Sequence, residues 1–254
     1  MRRMIQLLFV LGSAVAAFIA AQPSHDVPIQ PFVHVKRELS MGKDELHKLI
    51  AVRSDGTRVE RVVPGGNRFS GHEVRVLILP AERKQVVISD SIRAVSTFYL
   101  SPSAADARKR FHASEQCREK AGDQAEFLGE VTLHDVLTFH YGRDKKAGVF
   151  QHEEWYAPAL GCYQLASTYR EIGGKGEAGR FFETSTVSLK LGEPDASLFA
   201  VPLEYREMPP SQSERELIEF TRGTPFGSRP ADANLNRRFD RMDKHYQETQ
   251  ALKP

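Results

Sequence analysis

The chain has little that marks a familiar chemistry. It carries two cysteines, one tryptophan, no excess of positive charge, and no long apolar run beyond its first 21 residues. Lys and Arg number 35 against 33 Asp and Glu. Residues 1–21 hold Arg2 and Arg3 and no acid, so the remainder carries 33 charges of each sign. A nucleic-acid binder needs a basic excess to neutralise phosphates, so no nucleic-acid partner is expected. No C-x-x-C pair occurs, which disfavours dithiol catalysis. Neither H-E-x-x-H nor G-x-S-x-G occurs. Gly174–Gly179 fits G-x-G-x-x-G, but a strand-like run follows it where a dinucleotide site needs a helix. Those glycines are read as a hairpin loop. No cofactor, metal set or catalytic residue is assigned, and the chain is not expected to be an enzyme.

What is there begins with a targeting pattern. Arg2 and Arg3 precede a nearly unbroken apolar run from Met4 to Ala21, and Gln22-Pro23 follows. This predicts a signal peptide over residues 1–21, cleaved after Ala21, and an exported chain, periplasmic or extracellular. The alternative is an uncleaved anchor, because 18 residues just span a bilayer. No cysteine follows the run, so a lipid anchor is not expected. After cleavage the mature chain is not membrane-spanning. Residues 22–31 read as an extended leader.

An exported chain with two cysteines favours a disulfide between Cys117 and Cys162. Closing that loop stabilises by about 4 kcal/mol in the chain-entropy picture. Two buried free thiols are the other reading.

Strand signals start at His47–Arg53 and Arg58–Val63. Asp55-Gly56 between them predicts a type I′ hairpin. Val74–Leu79 and Gln85–Ile88 flank a turn at Pro80–Lys84. The second arm is expected to run toward Leu100 with a break near Asp90, and with Val86, Ile88, Ile92, Ala94, Phe98 and Leu100 on one face. Ser101-Pro102 then reads as an N-cap followed by Pro at the first helical position. The helix is expected over 102–121, stopping at Gly122. Beyond it, Phe127–Tyr141 reads as one alternating strand, and Val149–Tyr156, Cys162–Ile172 and Arg180–Leu191 follow. Tyr163, Leu165 and Tyr169 are placed on one face. Short polar turns between such strands imply an antiparallel meander with one apolar face. The sheet domain is set at 32–209.

The tail, 210–254, is helical. Asp195 is expected to cap a turn through Phe199. Ser213–Glu216 has a capping-box pattern, and residues 224–230 read as a linker. Over 232–251, Leu235, Phe239, Met242 and Tyr246 form one narrow apolar seam. The seam either docks on the domain or binds a partner.

Two patches carry a resemblance. Gly192–Tyr205, GEPDASLFAVPLEY, and Glu153–Pro158, EEWYAP, resemble exported bacterial domains of unknown function. Those domains are similar to the outer-membrane lipoprotein carrier (LolA-like) fold, and the resemblance covers roughly Phe32–Tyr205. It implies an α+β chain: a curved, mostly antiparallel, unclosed half-barrel sheet with a helix packed on it. It also implies a carrier or sensor of acyl chains or lipoproteins, without catalysis.

Some residues invite chemistry. His134 and His140 share a strand face in this reading but stand roughly 20 Å apart along a strand, too far for one metal. Glu153 and Glu154 point to opposite faces, so they cannot flank one bond. Tyr141, Trp155, Tyr163, Tyr169 and Phe181 offer aromatic surface, either for core packing or for an apolar ligand. The leading expectation is a binding module for an apolar small molecule, lipid or acyl chain. The alternative is an envelope protein partner, bound through the C-terminal seam or a sheet edge.

Overall fold

A computed structural model describes residues 30–41, 44–65, 73–104, 115–146, 149–171, 179–221 and 235–253. The expected signal peptide and all but Pro31 and Gln30 of the leader lie outside these, as do the helix core at 105–114 and the linker at 224–230.

Twelve strands join in one sheet. They are β1 (Phe32–Ser40), β2 (Asp44–Val52), β3 (Arg58–Val63), β4 (Val74–Leu79), β5 (Lys84–Ser89), β6 (Ala94–Tyr99), β7 (Glu126–Leu133), β8 (Val136–Lys146), β9 (Val149–Ala157), β10 (Tyr163–Arg170), β11 (Phe181–Leu191) and β12 (Arg206–Glu207). Their order is β12-β6-β5-β4-β3-β2-β1-β11-β10-β9-β8-β7, and the two ends do not meet. β12 runs parallel to β6. The other neighbours are antiparallel. The molecule is therefore two meanders, β1–β6 and β7–β11, joined where β1 pairs with β11. The mostly antiparallel, unclosed sheet matches the expected fold class.

Several local readings are corrected. Phe32–Ser40, unassigned in the sequence, is the strand that joins the two halves. Its mixed polar pattern hid it, since both its faces are covered or half-covered. The turn after β2 is not type I′. Gly56 alone has positive φ there, and its N–H donates to the Arg53 carbonyl. That is a type I turn closed by a left-handed glycine. The break expected near Asp90 is present but is a full reversal, so the arm from Gln85 ends at Ser89. A 3-10 turn at Asp90–Ile92, with Arg93 in the left-handed region, reverses the chain. Val86 and Ile88 therefore stand opposite Thr97 and Val95, with Ala94 and Phe98 on the other face.

Phe127–Tyr141 is likewise a hairpin, not one strand. His134 and Asp135 both take positive φ, which is the two-residue type I′ geometry. The usual Asn-Gly signal is missing there, which is why the break is invisible in the sequence.

Alternation gives β1–β5 two buried faces. Phe32, Ile50 and Val52 lie on one, packed with Leu160, Leu165, Val136 and Ala157. Ala51, Val59, Leu77, Val86, Ile88 and Val95 lie on the other. The closing segment covers this second face with Leu198, Phe199, Val201 and Tyr205. Asp195 caps the 3-10 turn Ala196–Phe199 through the Ser197 N–H, as expected. Tyr205 then donates to Asp90, 3.0 Å away, and Asp90 is gripped by a two-pronged Arg75.

Three helices are described in addition: α1 (Glu115–Ala121), α2 (Pro210–Thr221) and α3 (Leu235–Gln250). The Ala104 N–H bonds the Ser101 hydroxyl, and Pro102–Ala104 is helical, so the expected helix start is present. α2 starts at Pro210, three residues before the capping-box serine, because proline suits a first turn. Among the described residues no helix is long and apolar enough to cross a membrane.

The α3 seam is spent inside the chain. Phe239 is 2% exposed, under the Arg215 guanidinium of α2. Tyr246 is buried edge-on to Phe98 of β6. Gln250 donates to the Thr97 carbonyl, and Met242 is half-buried. Leu235 opens the helix. The seam reading as a partner surface is corrected accordingly: docking on β6 and α2 occupies its central residues.

Candidate functional site

Cys117 and Cys162 are joined, with Cα atoms 4.9 Å apart. α1 is thereby tied to the turn before β10. That turn is Pro158–Leu160 followed by Gly161 in the left-handed region. Lys120, in the last turn of α1, donates to the Gly161 and Cys162 carbonyls at 2.8 and 3.0 Å. Burial, with Arg58 nearby, lowers the Lys120 amine to about 8. Under α1 lie Tyr141 and Tyr156, with Ala125 and Phe139 beside them. Burial pushes the hydroxyls of both tyrosines to higher pKa.

Register decides which aromatics share this face. Phe127 is directly opposite Tyr141, Tyr141 opposite Glu154, and Arg143 opposite His152. His152 is opposite Tyr169, and Tyr169 opposite Phe182. Directly paired residues lie on one face. Phe127, Tyr141, Tyr169 and Phe182 therefore form one aromatic strip across β7–β11. Ring centroids are 5.5 Å apart for Phe127 and Tyr141, and 6.0 Å for Tyr169 and Phe182. The outer members are open, Phe127 at 53% and Phe182 at 40% exposure.

A charged cluster interrupts the strip. Glu154 is only 5% exposed. It accepts from Gln164 at 2.8 Å, and lies 3.3 Å from Arg143 Nη2 and 3.4 Å from His152 Nε2. Burial holds the His152 imidazole below its ordinary pKa against the pull of Glu154. The two glutamates do point to opposite faces: Glu154 faces Arg143, and Glu153 bonds His140 at 2.8 Å on the other face. The three histidines do not converge. His134 is in a turn, His140 stacks on Trp155, and His152 lies across the sheet from both.

The five aromatics expected to line a ligand site are not brought together. Tyr141 and Tyr169 are in the strip. Trp155 is opposite His140 and stacks on it with centroids 4.3 Å apart, on the reverse face. Phe181 neighbours Phe182 in sequence and so points away from it, under the Arg170 guanidinium. Tyr163 packs on Phe32 with centroids 4.9 Å apart. The cause is a bulge in β10 between Gln164 and Ala166, which breaks the even alternation from Tyr163 to Tyr169. Phe127 and Phe182, which sequence reasoning left out, take the vacated places. The signal for Phe127 was the parity it shares with Tyr141, and Phe182 had none that set it apart from its neighbour Phe181.

Tyr163 belongs instead to a buried polar junction. Its hydroxyl lies 3.0 Å from His34 Nδ1, and His34 Nε2 lies 3.0 Å from Thr186 Oγ1. Thr186 donates its one hydroxyl proton to the Leu165 carbonyl. It must therefore accept from His34 Nε2–H, which leaves Nδ1 to accept from Tyr163. The neutral imidazole is fully satisfied. Burial, with Lys36 and His134 nearby, lowers it to about 4. This junction ties β1 to β10 and β11.

No protein-family model matches the chain, and no curated protein matches it. Among solved structures it is similar to an uncharacterized conserved protein from Thermus thermophilus. That match has 12% identity and a TM-score of 0.43, covering 70% of this chain and 90% of that one. It is also similar to a chain of the Pseudomonas aeruginosa MucA/MucB complex, at 16% identity and a TM-score of 0.36, covering 72% of this chain and 59% of that one. A LolA superfamily protein from Nitrosomonas europaea matches at 12% identity and a TM-score of 0.29, covering 68% and 90%. At such scores none of the three says what this chain is or binds.

Proposed function

We propose that this chain is an exported, non-catalytic binding module that takes an apolar chain, such as a lipid acyl group, on the aromatic strip of β7–β11. One observation carries the reading. Among the described residues, every exposed large hydrophobic side chain on a strand lies on the second meander: Phe127, Leu128, Val131, Leu137, Val149, Phe182, Val187 and Leu191. Strands β1–β6 have none. Of these, Phe127, Leu137 and Phe182 lie on the face of the strip, and apolar surface left open there marks a place where something binds. The disulfide supports an oxidising compartment and hence export.

The test is binding of a fluorescent polyene fatty acid to the purified chain. Each aromatic ring contributes about 1.5–3 kcal/mol when fully buried, so Phe127→Ser with Phe182→Ser should weaken binding by at least about tenfold. Trp155→Ala, on the reverse face, should leave it unchanged. Absence of binding, or equal effects on the two faces, would sink the proposal.

A second reading rests on the edge. β7 is eight residues long, lacks Lys and Pro, and exposes Phe127, Leu128 and Val131. An envelope protein could add a strand there. Leu128→Pro would then abolish capture of that partner and spare acyl-probe binding.

A further inference from the structure

Resting on the acyl-chain reading, we infer that the ligand ends in an acidic oxygen head group, a carboxylate or a phosphate, and that Arg143 receives it. The aromatic strip is split by one charged pair, and the pair's unused capacity is of a single kind. Glu154 is filled from the protein: Gln164 occupies Oε1 at 2.8 Å, with His152 3.4 Å from the same oxygen, and Arg143 lies against Oε2. Tyr156 is on the same face, with its hydroxyl donating to the Lys120 carbonyl at 3.3 Å.

Arg143 is the reverse. It gives Glu154 one long contact of 3.3 Å from Nη2, where a guanidinium can offer a two-pronged fork. Its Nε is buried and has no hydrogen-bond partner among the described residues. A side chain with five donors and no acceptor is thus mostly unspent. What it lacks is oxygen acceptors, and the negative ones bind best. An apolar chain with no head group would leave that buried donor unmatched.

The placement fits a head-and-tail ligand. Arg143 sits directly opposite His152, which stands edge-on to Tyr169 with centroids 5.9 Å apart. Two residues before it in β8, on the same face, is Tyr141, which touches Phe127. A head at Arg143 therefore has aromatic surface on either side for its chain. Nη1 lies near Gly122 at the end of α1, 4.0 Å from where a Cβ there would stand. Asp144 follows it in the left-handed region, a conformation aspartate tolerates better than most residues.

The experiment titrates the purified chain with palmitate, with palmitoyl lysophosphatidate and with hexadecanol, three ligands of one chain length. Wild type should bind at least one acidic ligand about tenfold more tightly than the alcohol, the scale of a charge-assisted hydrogen bond gained. The tighter of the two acids identifies carboxylate or phosphate as the head. Arg143→Gln should reduce the acidic ligand to the level of hexadecanol, and Arg143→Lys should restore part of the preference. Equal binding of all three ligands by wild type overturns the head-group inference while the acyl-chain reading stands. No binding of any of them removes both. A preference unchanged in Arg143→Gln assigns the head elsewhere and overturns the role of Arg143. The wild-type comparison alone decides the head-group question if Arg143→Gln fails to fold.

Discussion

His34 gives the sharpest quantitative expectation. In the unfolded chain its imidazole titrates near 6.5, and in the native fold at about 4. Burial is the main cause, since nothing at the junction stabilises a second proton: Nδ1 must accept from Tyr163. Between those values the unfolded chain binds a proton that the native chain refuses, so stability falls as pH falls. The loss is negligible above the unfolded value and amounts to about 2 kcal/mol at pH 5. It levels off at about 3 kcal/mol below the native value. Carboxylates also titrate in this range, so the wild-type slope alone is not diagnostic. His34→Gln removes the titration and keeps the bonding, because its amide can accept from Tyr163 and donate to Thr186. Urea unfolding from pH 7.5 to pH 4.5 should show wild type losing about 2 kcal/mol more than His34→Gln. Parallel curves would refute the buried, neutral junction.

Three further outcomes follow from the geometry. The mass of the untreated chain should be two protons below that of the reduced chain, and reduction should cost about 4 kcal/mol of stability. Tyr205→Phe removes the 3.0 Å bond to Asp90 and leaves Arg75 in place, so urea unfolding should show a loss of about 1 kcal/mol; an unchanged midpoint would mean the closing segment is held by its apolar residues alone. Phe239→Ala empties the contact under Arg215 and should cost about 3–5 kcal/mol at the α2–α3 packing. Limited proteolysis should then release α3 while the sheet's circular dichroism persists, and unaltered resistance would contradict docking through the seam.

The class of fold was legible because it depends on short turns and alternating runs, which the sequence displays openly. The Cys117–Cys162 pair was legible too, since two cysteines leave one pairing. The second helix of the tail was readable from the 4-3-4 spacing of its seam. What failed was parity. A strand's side chains change face at every residue, so one unseen turn or bulge inverts all that follows. His134-Asp135 turns the chain without glycine, and Arg93 does the same after the 3-10 turn. The bulge at Leu165 has no compositional mark either. The bulge moved Tyr163 away from Tyr169, while plain alternation puts Trp155 and Phe181 on the reverse face. β1 was missed for a different reason. Its residues beyond Val35 alternate polar groups paired across strands, such as Lys36 and Lys48 with Glu38, and those pairs form only once the sheet exists.

The two meanders are finished unequally. The first is covered by Leu198, Phe199, Val201 and Tyr205 on one face, and α2 and α3 dock at its β6 end. One of the two patches that carry the resemblance, Gly192–Tyr205, therefore serves as a cover for the first meander. On the second meander, the described part of α1 sets Cys117 and Ala121 against Tyr141 and Tyr156, and the disulfide to Cys162 and the Lys120 bonds to the Gly161 and Cys162 carbonyls fix it there. That cover reaches the middle of the aromatic strip and leaves its two ends, Phe127 and Phe182, exposed. A ligand that buries those two rings gains about 25 cal/mol for each Å² of apolar surface removed from water.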